Sequence, residues 1–379
     1  MTVVNQFLLA VLLLLPVVYL LVSKSKPKVA VKERHIGKPT LRKRAEVRED
    51  DITVTGFCRG TEITEAKWTP VGFQYDREWC IINAEDRHVL TLRGHGEMTF
   101  IHPRIEEDAS SPYGGWLVVD VPIEAGGIKS FSLPLRPTPD VLEKWQHFDD
   151  VLMFNKFVMD GYVCEAVKPG DESPSTILST FLKRPVFIVM KGPEERPCLP
   201  TDAFQDLIAS CRYPVRLIFD VYPIHYATEE SLESVNRAVN LAAQLGTELP
   251  KEVRGITGAW QGRKVGMDRF RPNIVFKGAG VPYAEELWRA IEIGSPVPET
   301  QGKSQVLTTV LQCERCLTGE RDAAVPNKVL LKYGVISKAK KAVFGSYAVP
   351  EGNGVIRVGD KIRVVEWIEP EEDFGEEES

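Results

Sequence analysis

Polarity along the chain divides it before any motif is considered. Residues Phe7 to Val22 are almost wholly apolar, and no charge occurs between Thr2 and Ser23. A run of about 20 apolar residues crosses a bilayer as a helix. Pro16 in its middle is tolerated in lipid more readily than in water. A cleaved signal peptide would show a basic start and a small-residue cleavage site, and neither is visible. The pattern then inverts. From Lys24 to Arg44 there are nine Lys or Arg against one acid, Glu33. Such a flank stays on the cytosolic side and can touch anionic lipid. The pattern predicts a transmembrane anchor over residues 1–23, a basic linker over 24–50 and a body facing the cytosol.

Beyond residue 51 the apolar positions come in short runs broken by turns. Trp79 to Asn83, Thr99 to His102, Trp116 to Val121 and Ser130 to Leu135 read as strands, punctuated by Gly114-Gly115 and Gly126-Gly127. Many short strands at such spacing predict a barrel or sandwich. Ser173-Pro174 supplies a cap and first residue for a helix over Ser175 to Leu182. Val186 to Met190 reads as a buried strand, and Pro193 to Pro200 as a boundary loop. A second helix is predicted to start at Thr228 and run through Leu232, Val235, Val239 and Leu245, with acids in its first turn. Ile274 to Phe276, a short helix near Ala284 to Ala290, a strand from Gln305 to Leu311, and strands Val355 to Val358 and Ile362 to Val365 complete the pattern. The expected domains are 51–192 and 193–367, followed by an acidic disordered tail over 368–379.

Composition narrows this picture. With 379 residues, 43% of them hydrophobic, the chain can bury a core large enough for two domains. Its seven cysteines show no framework spacing, which favours reduced thiols. The net charge is −6. The core stays acidic once the basic arm and acidic tail are set aside, which argues against nucleic acid as a partner. No GxGxxG after a strand, GxxxxGK[ST], HExxH or GxSxG occurs. Electrons for any reduction must therefore come from a partner.

The chemistry-bearing stretch is Cys313-Glu314-Arg315-Cys316, with Met267-Asp268-Arg269-Phe270-Arg271-Pro272-Asn273 upstream. A thiolate binds metals and attacks electrophiles, and a neighbouring cation favours it. Arg forks grip phosphate or carboxylate oxygens, and Asn both donates and accepts. A thiolate with anion-gripping groups suits a metal carried by an anionic organic cofactor. Structural zinc needs four ligands, and no second Cys or His pair completes them. Two buried, inert cysteines on a strand would also give this spacing.

Arg269-Phe270-Arg271-Pro272-Asn273-Ile274-Val275, Cys313-x-Arg315-Cys316, Phe344-Gly345 and Gly354-Val355-Ile356-x-Val358-Gly359-Asp360 together resemble a MOSC domain. Cys58-Arg59-Gly60, Thr69-Pro70-x-Gly72-Phe73 and Asp76-Arg77-Glu78-Trp79 resemble the MOSC N-terminal β-barrel domain. The fold implied is β-rich mixed α/β: a MOSC β-barrel preceded by that barrel domain, with one N-terminal transmembrane helix.

The resemblance further implies a molybdenum cofactor, a thiolate and a dithiolene both suiting a soft metal. It implies Cys316 as the metal ligand, with Cys313 structural, and Asp220 beside the metal. Arg59, Arg93, Arg271 and Asn273 would hold the pterin and its phosphate, and Tyr347 would line the substrate pocket. Arg77 and Trp79 are read as packing or a salt link, and His225 as a strand residue that is not a ligand. The activity implied is reduction of N-oxygenated small molecules such as amidoximes and hydroxylamines. Cytochrome b5 and its NADH-dependent reductase would be the electron source. The location implied is the mitochondrial outer membrane, with endoplasmic reticulum as the alternative. A non-catalytic module that carries the cofactor or sulfur, or a cofactor-free scaffold, is the rival. Two departures stand out. Gly56 and Phe57 occupy positions where the family pattern has Lys and Ser, and the loop after Cys316 is short.

Deletion of residues 1–23 is expected to leave a soluble protein with its chemistry intact. Pelleting of the truncated chain with membranes through a carbonate wash would refute the anchor.

Overall fold

The computed structural model describes residues 52–56, 63–92, 94–124, 126–154, 157–168, 170–194, 196–197, 214–215, 222–245, 260–294, 305–315, 325–333 and 341–368. The expected anchor, the basic linker and residues 369–379 lie outside them. No helix among the described residues is long and apolar enough to cross a membrane.

The first part of the chain holds β1 (Thr53–Gly56), β2 (Glu65–Thr69), β3 (Gly72–Phe73), β4 (Trp79–Asn83) and β5 (His102–Glu107). These are followed by β6 (Gly115–Ile123), β7 (Gly127–Pro134), β8 (His147–Met153), β9 (Phe157–Val163) and β10 (Val186–Lys191). Strands β5, β6 and β7 form an antiparallel meander, and β4, β10, β9 and β8 form a second sheet in that order. The inward positions of β6 and β7, among them Leu117, Val119, Val121, Phe131 and Leu133, pack with Ile177, Leu178 and Ile188 in one core. The helix Pro174–Leu182 begins at the expected residues, although Ser173 makes no side-chain cap bond. The strand expected over Thr99 to His102 is instead a 3₁₀ turn, Gly96–Phe100, with β5 beginning at His102. Pro103 and the charged run Arg104, Glu106 and Glu107 suit that exposed edge.

Strands β11 (Arg196–Pro197) and β12 (Pro214–Val215) form a small pair of their own. The later strands are β13 (Ile224–Thr228), β14 (Ile274–Lys277), β15 (Trp288–Ile293), β16 (Gln305–Glu314), β17 (Val343–Pro350), β18 (Gly354–Arg357) and β19 (Ile362–Trp367). All but β18 join with β1 in a seven-stranded sheet in the order β1-β14-β13-β17-β16-β15-β19, while β18 joins β2 and β3 in a separate three-stranded sheet. Residues 53–73 precede the first barrel in sequence yet pair with this second module: β1 lies against β14, and β2 against β18.

Only β13 and β14 are parallel here, and they are joined through the helix Glu229–Leu245. The Thr228 hydroxyl accepts from the Ser231 N–H at 3.3 Å, the expected N-cap. Residues Ala284 to Ala290 do not form the expected helix. A 3₁₀ turn, Ala284–Glu286, leads straight into β15, whose backbone bonds both β16 and β19. Pairing on both edges outweighs a modest helical preference. Tyr226, Phe276 and Trp288 fill the centre, with the Tyr226 and Trp288 rings stacked at 6.0 Å between centroids.

Gly345 fixes the approach of β17 to β13. Its φ is +73°, and a Cβ there would lie 2.3 Å from the Tyr226 carbonyl oxygen and 2.8 Å from His225 Nε2. Gly345→Ala is expected to cost roughly 2–4 kcal/mol, read as a lower urea midpoint at unchanged slope. Gly352→Ala meets nothing within 4 Å and should stay near wild type.

Candidate functional site

The site grows out of three neighbouring strands. In register, Tyr347 of β17 faces His225 of β13 on one side and Leu311 of β16 on the other. An irregularity between Gln312 and Glu314 shifts β16 there, with Cys313 inside it. Cys313 and His225 are 1% and 2% exposed. Arg315 donates from Nη1 to the Cys313 sulfur at 3.1 Å. Its guanidinium lies 5.7 Å from the Phe270 ring centre, and Phe270 itself stacks on Phe344 at 3.8 Å.

Burial alone would raise the Cys313 thiol. The charges of His225 and Arg315, with side-chain hydrogen bonds from His225 and Tyr347, instead bring it down to about 6. The other two buried cysteines among the described residues behave oppositely. Cys80 and Cys164 lack such partners, and burial pushes both up.

Ahead of β14, the turn Met267–Arg269 delivers Arg269 and Arg271 to the same region. Arg271 is exposed and sits at φ 53°, in the left-handed region. Burial lowers Arg269, and the like charges of Arg315 and Arg271 lower it further. Arg269 with two guanidiniums near enough to oppose its charge forms a place where an anion is welcome.

Asn273 is turned toward protein. Its Oδ1 accepts from the His225 N–H at 2.9 Å and from Arg77 Nη2 at 3.3 Å, and its Nδ2 donates to Asp76 at 2.9 Å. Arg77 pairs with Asp76 at 3.2 Å, a salt link of the kind its sequence suggested. Asn273 thus knots the turn after β3 to the start of β13. Beneath the site lie two buried acids. Glu285 is bonded by Thr228 and Ser231. Glu286 accepts from Gln312 at 3.0 Å through one oxygen, while its other oxygen is buried with no hydrogen-bond partner.

Of the residues expected at the site, Arg271, Asn273 and Tyr347 come together here. Arg59, Arg93, Asp220 and Cys316 lie outside the described residues. His225, read as a strand residue beside nothing, is on β13 but meets Cys313 and Tyr347. Cys313, read as structural, is the sulfur that Arg315 grips. Its neighbours come from separate strands, so only the Cys-x-Arg spacing hinted at it. No group of three metal-ligating side chains occurs among the described residues. The donor set nonetheless fits an anionic group carrying a soft metal: converging guanidiniums answer the anion, and a thiolate-bearing segment answers the metal.

Residues 57–165 match the MOSC N-terminal beta barrel domain, and residues 217–363 match the MOSC domain. The chain is 26% identical to mitochondrial amidoxime-reducing component 1 of Mus musculus, over 80% of this chain and 78% of that protein. It is 25% identical to mitochondrial amidoxime reducing component 2 of Homo sapiens, over 80% and 79%. A molybdenum cofactor sulfurase of Solanum lycopersicum is 26% identical over 62% of this chain but 25% of its own length.

Burial, then the charges of Glu285 and Cys313, hold the Glu286 carboxyl well above its ordinary 4.5. The folded chain therefore keeps a proton that the unfolded chain releases. That stabilisation is complete below pH 4.5 and is lost as pH rises through the folded value. Glu286→Gln is neutral and still accepts from Gln312, so its stability relative to wild type should climb with rising pH. Parallel melting curves of both proteins at acid and alkaline pH would refute this.

Proposed function

We propose that this chain, a member of the MOSC family whose MOSC domain follows a MOSC N-terminal β-barrel domain, is a molybdenum-cofactor oxidoreductase. Its reaction would be reduction of N-oxygenated compounds such as amidoximes and hydroxylamines. The strongest support is the convergence of Arg269, Arg271 and Arg315 beside the cysteine-bearing end of β16. That arrangement occurs in a chain similar over most of its length to amidoxime-reducing components.

Cys316 would bind the metal, as the family pattern implies. Arg271, Arg59 and Arg93 would hold the phosphate and pterin. Asn273 would act chiefly by fixing β13 and the Asp76-Arg77 turn around them. Asp220 would orient substrate or water near the metal, and Tyr347 would line the substrate pocket. When bound, the cofactor supplies two-electron redox chemistry at a soft metal. Across the reaction the N–O bond breaks, two electrons and two protons are taken up, and water leaves with the oxygen. The electrons would come from cytochrome b5 and its NADH-dependent reductase. An anchor at residues 1–23 would place this chemistry on a membrane, which we take to be the mitochondrial outer membrane, and the names of the relatives favour a mitochondrial location.

Gly56, Phe57 and the short loop after Cys316 favour a weaker hold on the cofactor than the family norm. They keep a cofactor-free scaffold, or a carrier of cofactor or sulfur, as the second reading. The test is molybdenum and pterin per purified chain, together with amidoxime reduction in the presence of cytochrome b5 and its reductase. Cys316→Ala is expected to lose both metal and turnover. Arg271→Ala should weaken cofactor retention by roughly 10–100-fold, as loss of one charge-assisted contact implies. Equal molybdenum and turnover in wild type and Cys316→Ala would overturn the assignment. A site that stays empty even after Gly56→Lys with Phe57→Ser would favour the scaffold.

A further inference from the structure

We propose that Cys313 is an ion-paired thiolate whose task is to position Arg315 within the arginine cluster. The geometry surrounds its sulfur with donors. Arg315 Nη1 lies 3.1 Å away, and His225 and Tyr347 both hydrogen-bond it from neighbouring strands. A neutral thiol is a weak acceptor, whereas a thiolate uses every one of these donors. His225 is arranged to match. Its Nδ1 faces the Arg271 carbonyl oxygen at 3.4 Å and its Nε2 faces that of Phe344 at 3.1 Å. These two carbonyls fix the plane of the ring beside the sulfur.

The other groups around Cys313 agree. Tyr347 donates from β17. Glu286, from the 284–286 turn, is the nearby acid, and the same burial that would penalise its charge keeps it neutral. Arg269, from the loop before β14, places a second positive charge near Arg315. Crowding by cations disfavours Cys313 as a cation ligand and favours it as their counter-anion. Burial raises its thiol, and the charges of His225 and Arg315 with the hydrogen bonds of His225 and Tyr347 outweigh it, bringing the value to about 6.

The consequence falls on Arg315. Its backbone N–H donates to the Ala342 carbonyl at 2.7 Å, and its side chain is held between the Cys313 sulfur and the Phe270 ring. A long side chain already fixed loses little rotamer freedom when an anion arrives. This step rests on the reading above that the arginine cluster takes an anionic group.

The experiment uses the full chain freed of cofactor. Thiolate absorbance in the ultraviolet is followed against pH, and affinity for inorganic pyrophosphate is measured at neutral pH. The difference between wild type and Cys313→Ser should contain a thiolate step near pH 6, moved upward by His225→Gln. A Cys313 step at the ordinary thiol value of about 8.5 would overturn the proposal even if pyrophosphate binds. For the anion, Cys313→Ser should weaken binding roughly tenfold, the equivalent of one charge-assisted contact. Cys313→Asp should restore much of it, and Cys313→Ser should add nothing to Arg315→Ala. Full additivity of those two changes would overturn the positioning role. Should Cys313→Asp fail to fold, additivity and the titration still decide. Failure of wild type to bind pyrophosphate would overturn the positioning role by removing the anion reading beneath it, whatever the titration gave.

Discussion

The parallel pairing of β13 with β14 is the constraint on which the rest depends. Parallel neighbours start at the same end of a sheet, so the segments that enter them are forced together. Here that brings Tyr222 to His225 beside Arg269 to Asn273, far apart in sequence, with Tyr226 opposite Ile274. The helix Glu229–Leu245 makes the crossover such a pair requires. Asn273 then locks the arrangement. Its amide satisfies the His225 backbone N–H and reaches Asp76 and Arg77 at once. Buried polar groups left without such partners cost roughly 1–3 kcal/mol each. One side chain therefore holds the site's floor and the turn after β3 in a single geometry.

That floor is electrostatically expensive. Arg269, Arg271 and Arg315 repel one another, while Glu285 and Glu286 lie buried close by. Burial raises both acids, and a neutral Glu286 spares the fold a second buried charge. The Cys313 sulfur then stands 3.1 Å from Arg315 Nη1 as its counter-anion. Such tension is typical of sites shaped for a ligand, since a fold optimised for stability alone would not assemble it. The two ionisations also pull stability in opposite directions with pH. Glu286 favours the folded state in acid, whereas a lowered Cys313 thiol favours it as pH rises above about 6.

Much of this was legible in the sequence because the signals were local. Ser173-Pro174 and Thr228-Glu229-Glu230 announced two helix starts, and the short apolar run Trp116 to Val121, bounded by turns, announced a strand. What failed were segments decided by distant partners. Ala284 to Ala290 carries helix-compatible residues, yet pairing of β15 on both edges draws it into the sheet. The site divided in the same way. Arg271, Asn273 and Tyr347, proposed by motif, do lie in one region, and Asn273 serves the fold with most of its hydrogen-bonding capacity. His225 could not be found, because its partners Cys313 and Tyr347 reach it only through strand register.

Register also gives physical meaning to one departure from the family pattern. β1 runs antiparallel to β14, with Thr53 opposite Lys277 and Gly56 opposite Val275. Each step along β1 toward Gly56 therefore moves toward the Asn273 end of β14. Gly56, expected from the family resemblance to stand in place of a Lys, lies on the strand beside the one that follows Arg271 and Asn273. A Lys at that place would bring a flexible cation to the rim of an already cationic region, raising anion affinity and repulsion together. Glycine removes both. Among the described residues the charge there is borne by Arg269, Arg271 and Arg315, and Arg315 is braced by a sulfur and an aromatic ring. Fewer cations can still hold an anion when one of them is fixed beforehand, because less freedom is lost on binding.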